Sequence, residues 1–346
     1  MTNYLIRRLI GNLVVIWIVM TFVFLALRVL PGDFAAQQVA NQFFSGATAR
    51  GQSDKATQEA QGAEEGASEN VDRALQAARE RLGLNDPIAV QYAKYWGDIF
   101  SGNPGKSFQT GESVVDMTAD ALPYTVQLGI MAIVIAGLLA VPVGIFSAIR
   151  PDGFLDGGLR VFAVFFLAAP SFWTAALLSG WAVQYDVLTI DVVSSPGVWD
   201  DAWGSFQLFI IPALAGGLAT GAVLMRFLRS GLLEVLRQDY IRTAHAKGLR
   251  ESVVVSRHVL RNALIPIVTI LGFLTAALIG GNVILEQMFN IPGMGRQFLR
   301  AILDRDVPLA QFMTLLLVGG VVMVNLLVDL SYFIIDPRVT VEGASS

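Results

Sequence analysis

The stretch 238–266 reads QDYIRTAHAKGLRESVVVSRHVLRNALIP and separates two apolar segments that are each long enough to cross a membrane. It contains five Lys or Arg residues against two acidic residues, and both histidines of the chain, His245 and His258, lie within it. Basic residues beside membrane-spanning segments are concentrated on the cytoplasmic side. The pattern therefore predicts a polar cytoplasmic loop between two spanning helices, and such a loop is suited to docking on another protein.

The rest of the chain indicates that its main solvent is the lipid bilayer. Of its 346 residues, 54% are hydrophobic and only 15% are charged, which is too apolar for an ordinary soluble domain. A bilayer core about 30 Å thick is crossed by roughly 20 helical residues. The apolar runs are continuous rather than alternating, which favours helices over a β-barrel. The six runs of this length are Leu9–Leu30, Leu122–Ile149, Leu159–Tyr185, Phe206–Leu228, Ala263–Leu285 and Phe312–Ile335.

These runs predict an all-α membrane protein with six transmembrane helices and an external loop subdomain. Gly217 and Gly221 lie four residues apart, a spacing that lets two helices approach closely. If there are six crossings, the connections on one side are rich in basic residues, including seven Lys or Arg between Arg229 and Arg261, whereas the opposite side carries 13 acidic against 7 basic residues between Pro31 and Leu122. The basic side is expected to be the cytoplasm, with both termini on it. The predicted parts are a retained transmembrane helix at 1–30, an extracytoplasmic region at 31–120 with a disordered stretch at 45–70, a membrane core at 121–335 with a cytoplasmic loop at 229–262, and a cytoplasmic tail at 336–346.

The second half of the external region, from Val71 to Asp120, is expected to be folded. Asp86 and Pro87 predict a turn before a helix that carries several aromatic residues. Those aromatics recur at helical spacing, which is typical of a small packed face or a membrane-interface belt. They are Tyr92, Tyr95, Trp96 and Phe100.

The sequence shows no pattern for covalent chemistry. Cysteine is absent, which excludes thiolate metal ligands and disulfides. His245 and His258 are accompanied by basic residues, and neither belongs to a zinc-binding pattern. We therefore expect no catalytic residue, no metal ligand, no cofactor and no enzymatic activity in this chain.

Four polar residues occur in pairs, four residues apart, within the fifth and sixth apolar runs. Ionisable groups at membrane depth are costly and mark ion paths by default. Asp329 lies close to the inner edge, so Asn325 and Asp329 are expected to make structural hydrogen bonds between helices. For Asn282 and Glu286 the alternatives of a gate and a helix interface stay open.

The basic loop is expected to contain a short helix, capped by Asp239 and ended by Gly248. Tyr240, Ala244 and Gly248 would then share one face, with Thr243 and Lys247 alongside. An aromatic side chain beside small residues fits a groove on another protein. The alternative is an amphipathic helix that lies on lipid headgroups.

DYIRTAHAKGL and RHVLRNALIP resemble the coupling loop of binding-protein-dependent ABC transporter permeases of the dipeptide, oligopeptide and nickel group. The resemblance covers nearly the whole chain. The other pieces that carry it are LPGD at 30–33, RLGLNDPIAVQY at 81–92, GKSFQTGESV at 105–114, FNIPGMGRQFLRAILDRDVP at 289–308 and NLLVDLSYFIIDPRV at 325–339.

The resemblance implies a type I importer permease core of the MetI-like kind. Its implied partners are a second homologous permease, two ATPases that bind ATP and Mg²⁺, an extracytoplasmic binding protein and the bilayer, but no nucleic acid. In the family the short helix sits in a cleft of the ATPase. The residues carried over to that contact are Asp239, Tyr240, Arg242, Thr243, Ala244, Lys247, Gly248 and Leu249. Two departures are Arg242, which replaces the usual acidic residue, and the long Gly248–Pro266 spacing.

The implied function is to form half of a translocation pathway for peptides in a bacterial or archaeal cytoplasmic membrane. Nickel chelates, glutathione and oligosaccharides are alternative cargoes for the same architecture. A different class, a proton-coupled secondary transporter using Asp329 and Glu286, would work without an ATPase.

Overall fold

The structure is a computed structural model that describes residues 2–29, 73, 75–77, 79–80, 85–187, 197 and 200–335. The stretch 45–70, predicted to be disordered, and the tail 336–346 lie outside these residues. Apart from one isolated bridge between Lys106 and Ser113, the regular structure in the described ranges is helical. The predicted all-α class is therefore confirmed.

We number the helices along the chain. The first six are α1 (Thr2–Val29), α2 (Ile88–Phe100), α3 (Val114–Ile149), α4 (Phe154–Ala168), α5 (Ser171–Gln184) and α6 (Ala202–Leu236). The others are α7 (Asp239–Ala246), α8 (Glu251–Val253), α9 (Leu260–Gly281), α10 (Val283–Met288), α11 (Met294–Leu303) and α12 (Val307–Ile335), with a π-helical segment (Val254–Val259) between α8 and α9. Five spans are long and apolar enough to cross a membrane, and α4 with α5 makes a sixth if the two count as one span.

The third predicted span is not one straight helix. The chain bends by 106° between α4 and α5, at Ala169 and Pro170. Proline disfavours the helical conformation in the residue before it, and Ala169 is extended, with φ −74° and ψ 124°. Pro142 and Pro212, by contrast, lie inside the continuous helices α3 and α6.

The described residues form two compact units. The first comprises those within 2–12, 121–297 and 317–335, and the second comprises those within 13–29, 73–120 and 298–316. Within the first unit, the predicted small-residue pair on α6 packs closely against α3. A Cβ atom at Gly217 would lie 2.9 Å from the carbonyl oxygen of Ala132, and one at Gly221 would lie 3.3 Å from the Cα atom of Ala136. Glycine at these positions lets the two backbones touch.

In the second unit, the aromatic residues of α2 pack against α1, as the sequence predicts for a packed face. The Phe24 ring lies 5.2 Å from that of Tyr92 and 5.5 Å from that of Tyr95. The hydroxyls of Thr21 and Tyr92 are 2.7 Å apart, and the guanidinium of Arg28 lies 3.8 Å above the Phe24 ring. Burial raises the pKa of Tyr95 above its usual range, so this phenol stays neutral inside the cluster.

The GKSFQTGESV segment is also fixed within the second unit. Its Ser107 donates a hydrogen bond from Oγ to the carboxylate of Asp306, and the backbone N–H of Phe108 donates to the same group at 3.1 Å. Asp306 is 1% exposed and directly precedes α12. The two distant motifs are thus joined by one buried carboxylate.

Candidate functional site

The short helix predicted in the basic loop is present as α7, directly after α6. The structure extends α6 to Leu236, so the connection to α7 begins at Arg237 rather than at 229. Gln238 is the N-cap and makes no side-chain capping bond, whereas Asp239 is the first helical residue. The prediction that Asp239 caps the helix is therefore wrong by one position. Its carboxylate still lies in the first turn, where negative charge is favourable, 3.4 Å from Arg242.

The helix ends at glycine, as predicted. Gly248 has a φ of +75°, which L side chains rarely adopt, while its own surroundings are open. Its N–H donates to the carbonyl of His245 at 2.9 Å, and the N–H of Leu249 donates to that of Ala244 at 3.4 Å. This pair of bonds is a Schellman motif, which needs the left-handed backbone of Gly248 to turn the chain.

One face of α7 is buried within the chain. Ile241 is 1% exposed and Ala244 is 8% exposed, and both belong to an apolar cluster with Leu228, Leu232 and Val259. Residues three apart lie on the same side of a helix, so the large apolar Ile241 directs Ala244 inward as well. The prediction that Ala244 faces a partner together with Tyr240 and Gly248 is therefore wrong for Ala244.

The rest of the α7 surface is open to solvent and carries charges of both signs. Tyr240 remains 45% exposed on this surface. Exposed with it are Asp239, Arg242, Thr243, His245, Ala246 and Lys247, and Gly248 and Leu249 are exposed just beyond the helix end. Seven of the eight residues predicted to meet an ATPase, including Tyr240, are thus exposed. The eighth, Ala244, is buried.

Tyr240 is linked to the beginning of the next spanning helix. The side-chain amide of Asn262 donates to the Tyr240 hydroxyl at 3.0 Å and to the carbonyl of His258 at 2.9 Å. Between α7 and α9, Val254 and Val259 at the two ends of the π-helical segment are buried. Single π turns are frequent at functional sites. The short helix is therefore held by the π-helical segment and the apolar cluster on one side and by the start of α9 on the other.

The chain also has a buried ion pair that the sequence analysis missed. The Asp156 side chain on α4 is 0% exposed and accepts hydrogen bonds from Arg229 on α6 at 3.0 and 2.9 Å. Ser147 on α3 donates to the same carboxylate, and Arg160 lies 3.2 Å from it. The spacing of Asp156 and Arg160 is a local signal, but the contact with Arg229 joins residues 73 apart. This junction ties three helices together near the start of the predicted loop.

Glu286 lies at a helix interface. Its side chain is fully buried and accepts from the Thr125 hydroxyl at 2.7 Å and from the Arg296 N–H at 2.9 Å. The Thr125 hydroxyl in turn accepts from the N–H of Met294 at 2.8 Å. A carboxylate at the N-terminus of α11 is stabilised by the free N–H groups there. Asn282, 4% exposed, lies one turn earlier, where α9 gives way to α10.

The contact of Glu286 with the N-terminus of α11 explains why the FNIPGMGRQ motif has glycine at 293 and 295. A Cβ atom at Gly293 would overlap the Glu286 carboxylate, lying 2.6 Å from its Oε1 atom. A Cβ atom at Gly295 would lie 3.0 Å from its Oε2 atom. Only glycine lets the N-terminus of α11 approach the carboxylate so closely.

Asp329 pairs with α1 instead of with its neighbour on α12. Its carboxylate lies 2.6 Å from the Nε atom of Arg8 in an ion pair and accepts one hydrogen bond from the Nη2 atom of the same guanidinium at 2.9 Å. Asn325 is exposed and is not brought to Asp329. The predicted interhelix contact is thus found for Asp329, with a different partner, but not for Asn325.

In the described ranges, no group of three or more His, Asp or Glu side chains could hold a metal ion. What these residues do provide is a braced charged helix, two buried or half-buried ion pairs and a capped helix end. Such an arrangement can bind a protein surface and pass a movement on to the spanning helices.

Comparison with known proteins places these features in a family. Residues 140–341 match the family described as binding-protein-dependent transport system inner membrane component. A probable peptide ABC transporter permease of Sinorhizobium fredii is 34% identical over 97% of this chain and 98% of its own length. The oligopeptide transport system permease AppB of Bacillus subtilis is 37% identical over 75% of the chain and 83% of its own length. The dipeptide transport system permease DppB of Alkalihalophilus pseudofirmus is 36% identical over 77% and 86%.

Proposed function

Because this chain belongs to the family of binding-protein-dependent transport system inner membrane components, we propose that it is one of two permease subunits in an ATP-driven importer of peptides. The names of the three relatives refer to peptide, oligopeptide and dipeptide transport, which supports peptides as the cargo class. The complex also comprises a second similar permease, two cytoplasmic ATPases that bind ATP and Mg²⁺, and an external binding protein.

The observation that carries this proposal is the pair of faces on α7. The inner face, with Ile241 and Ala244, is locked into the apolar cluster at the end of α6. The outer face offers Arg242, His245 and Lys247 to a partner. A helix that only lay on lipid headgroups would turn its apolar face to the membrane, but here that face is used within the chain. The exposed face, with Lys247 beside the surface pair of Asp239 and Arg242, fits a cleft of a cytoplasmic ATPase.

The mechanism follows from how α7 is braced. When the ATPases close on ATP, each pulls the α7 helix docked on it. The apolar cluster that holds Ile241 also contains Leu228 and Leu232 of α6 and passes this displacement to α6, and the bond from Asn262 to Tyr240 passes it to α9. The spanning helices then move between inward-open and outward-open arrangements. Both termini and α7 lie on the cytoplasmic side, as the basic residues of the connections require.

The substitution Ala246→Arg tests the docking face, because Ala246 is exposed on α7 and no buried contact is lost. The matched control is Ala93→Arg, on an exposed position of α2. With the four subunits co-expressed, we expect about tenfold less ATPase to remain bound to the purified permease pair of the first variant, since the long arginine side chain would hold the two surfaces apart. Equal ATPase retention by both variants would overturn the docking assignment.

The cargo is tested separately by capturing the external binding protein with the complex and identifying its bound small molecules by mass spectrometry. Peptides are the expected result. A nickel chelate, glutathione or an oligosaccharide would change the cargo and leave the coupling intact. Concentrative uptake by this chain reconstituted alone, driven by a proton gradient, would instead establish the secondary-transporter alternative.

A further inference from the structure

A basic cavity lies between α4 and α6 in the first unit. It has a volume of about 310 Å³, and its polar lining consists of Arg160, Arg226, Arg229 and Ser230. The rest of its wall is apolar and includes Val164, Leu167 and Met225. Three guanidinium groups around one cavity form a site for an anion.

The charges of these arginines are only partly neutralised. Arg229 is bonded to Asp156, and Arg160 lies 3.2 Å from the same carboxylate and 3.7 Å from the exposed Asp152. Arg226 is exposed and has no ion-pair partner in the part of the chain that the structure describes. The cavity therefore retains positive charge, and Arg226 is the group with the most freedom to hold a ligand.

An apolar groove continues from this cavity between α3, α4 and α6. It has a volume of about 60 Å³ and shares Ala163, Ala222 and Met225 with the basic cavity. Its other wall residues are Leu139, Ala140, Val143, Leu159, Phe162, Leu218 and Gly221. A soluble anion would use the guanidinium groups alone. The groove has room only for the first few methylene groups of a chain, but the exposed apolar side chains of α4 extend this apolar surface, so the surroundings fit a molecule with an anionic head and a hydrocarbon chain.

We propose that this cavity binds an anionic phospholipid of the cytoplasmic leaflet, with the headgroup phosphate at Arg226 and Arg160 and an acyl chain that begins at the groove and lies over the exposed apolar face of α4. Basic pockets between spanning helices on the cytoplasmic side are suited to such headgroups. The remainder of α4 presents exposed apolar side chains, with Val161 at 71% and Phe165 at 50%, as expected where acyl chains cover a helix. The proposal rests on the orientation given under the proposed function, but not on the cargo or the ATPase contact.

The site has a consequence for coupling because two of its arginines belong to the last third of α6. A headgroup at Arg226 adds negative charge beside the junction of Asp156 and Arg229, on the segment that leads to α7. Bound lipid would then hold α4 and α6 together while α7 is pulled. ATP-driven transport should accordingly be faster in bilayers that contain anionic lipid.

The variant that tests the site is Arg226→Gln, since Arg226 takes part in no buried pair. Arg237→Gln, an exposed arginine at the end of the same helix and outside the cavity, is the matched control. The purified complex is loaded with phosphatidylglycerol, phosphatidylethanolamine or soluble glycerol phosphate, and retained molecules are counted by native mass spectrometry. We expect the wild-type protein and Arg237→Gln to retain phosphatidylglycerol selectively, and Arg226→Gln to retain about fivefold less.

Three results would overturn the proposal. If both variants lose phosphatidylglycerol equally, the lipid is attracted to the basic surface as a whole and not to this cavity. If glycerol phosphate displaces the lipid at equal concentration, the cavity binds only the anionic headgroup. The third result would be that the partner permease covers this surface of α4. To test it, Val164→Cys introduces a single thiol into this chain, which has no cysteine of its own. Blocked labelling of that thiol by a lipid-soluble maleimide in the assembled pair would assign the face to the partner. If the wild-type permease pair purifies without an ATPase but still retains phosphatidylglycerol, that result would count against the proposed function and leave the lipid site standing.

Discussion

Arg229 on α6 donates two hydrogen bonds to the carboxylate of Asp156 on α4, at 3.0 and 2.9 Å. The Asp156 side chain is 0% exposed and that of Arg229 is 18% exposed, so the pair is almost withdrawn from solvent. A buried charge is tolerated only when it is paired and hydrogen-bonded. The pair therefore acts as a fixed joint between α4 and α6, seven residues before α6 ends and the loop to α7 begins.

Removal of the charge at Asp156 should loosen this joint. Asp156→Asn leaves Arg229 with a nearly buried charge and no counter-ion, a change that costs about 3 kcal/mol in buried pairs. Asp152→Asn is the control, because Asp152 is 85% exposed and lies 3.7 Å from Arg160, where an ion pair contributes little. Heating of the detergent-purified permease, followed by size-exclusion chromatography, should show early loss of the first variant only. Equal survival of both variants would contradict a structural role for Asp156.

Two alanines of α7 should respond in opposite ways to the same substitution. Ala244→Arg places a guanidinium among Leu228, Leu232 and Val259, so the variant should fail to accumulate as a folded membrane protein. Ala246→Arg should fold normally and lose only the ATPase. Membrane abundance and ATPase co-purification, measured side by side, separate the two effects. A folded, abundant Ala244→Arg permease would contradict the buried position of Ala244.

Local patterns in the sequence predict much of this structure. Apolar runs of membrane length locate the spans, Gly248 locates the end of α7, and the spacing of Gly217 and Gly221 indicates a close helix contact. Each of these features depends on residues that are near one another in the chain. The short helix of the candidate site is predicted for the same reason.

The parts that the sequence does not predict depend on distant contacts or on competition between faces. Asp156 and Arg229 are 73 residues apart, and Arg8 and Asp329 are 321 apart, so no local spacing reveals either pair. The face of α7 is misassigned because Tyr240 and Ile241 are both large, and only the packing of the apolar cluster decides which one is buried. The bend before Pro170 has a local cause, since the proline disfavours the helical conformation at Ala169, but its angle of 106° is not given by the sequence.

The contact between α3 and α6 can be tested with two glycine substitutions. Gly217→Ala would bring a methyl group to 2.9 Å from the Ala132 carbonyl oxygen and 2.8 Å from Ile135, which forces the helices apart. Such overpacking typically costs about 1–3 kcal/mol. Gly137→Ala, where nothing lies within 4 Å, should leave stability unchanged or raise it slightly. The midpoint of thermal unfolding in detergent distinguishes the two, and a midpoint for Gly217→Ala at or above the wild-type value would contradict the close approach.

Substitutions in the pair of Arg8 and Asp329 distinguish two possible roles of the Asp329 carboxylate, which are a structural role and the transport of a proton. Asp329→Leu leaves Arg8 without its partner and should lower the free energy of unfolding by about 1–2 kcal/mol, less than for a fully buried pair because the Arg8 side chain is 45% exposed. Adding Arg8→Leu removes the orphaned charge and should restore most of that stability. ATP-driven uptake in proteoliposomes should then be close to the wild-type rate, with the same dependence on pH, because no proton has to pass through position 329. If the double variant assembles normally but loses uptake, Asp329 carries a proton during transport and the ATP-driven account of this residue is wrong.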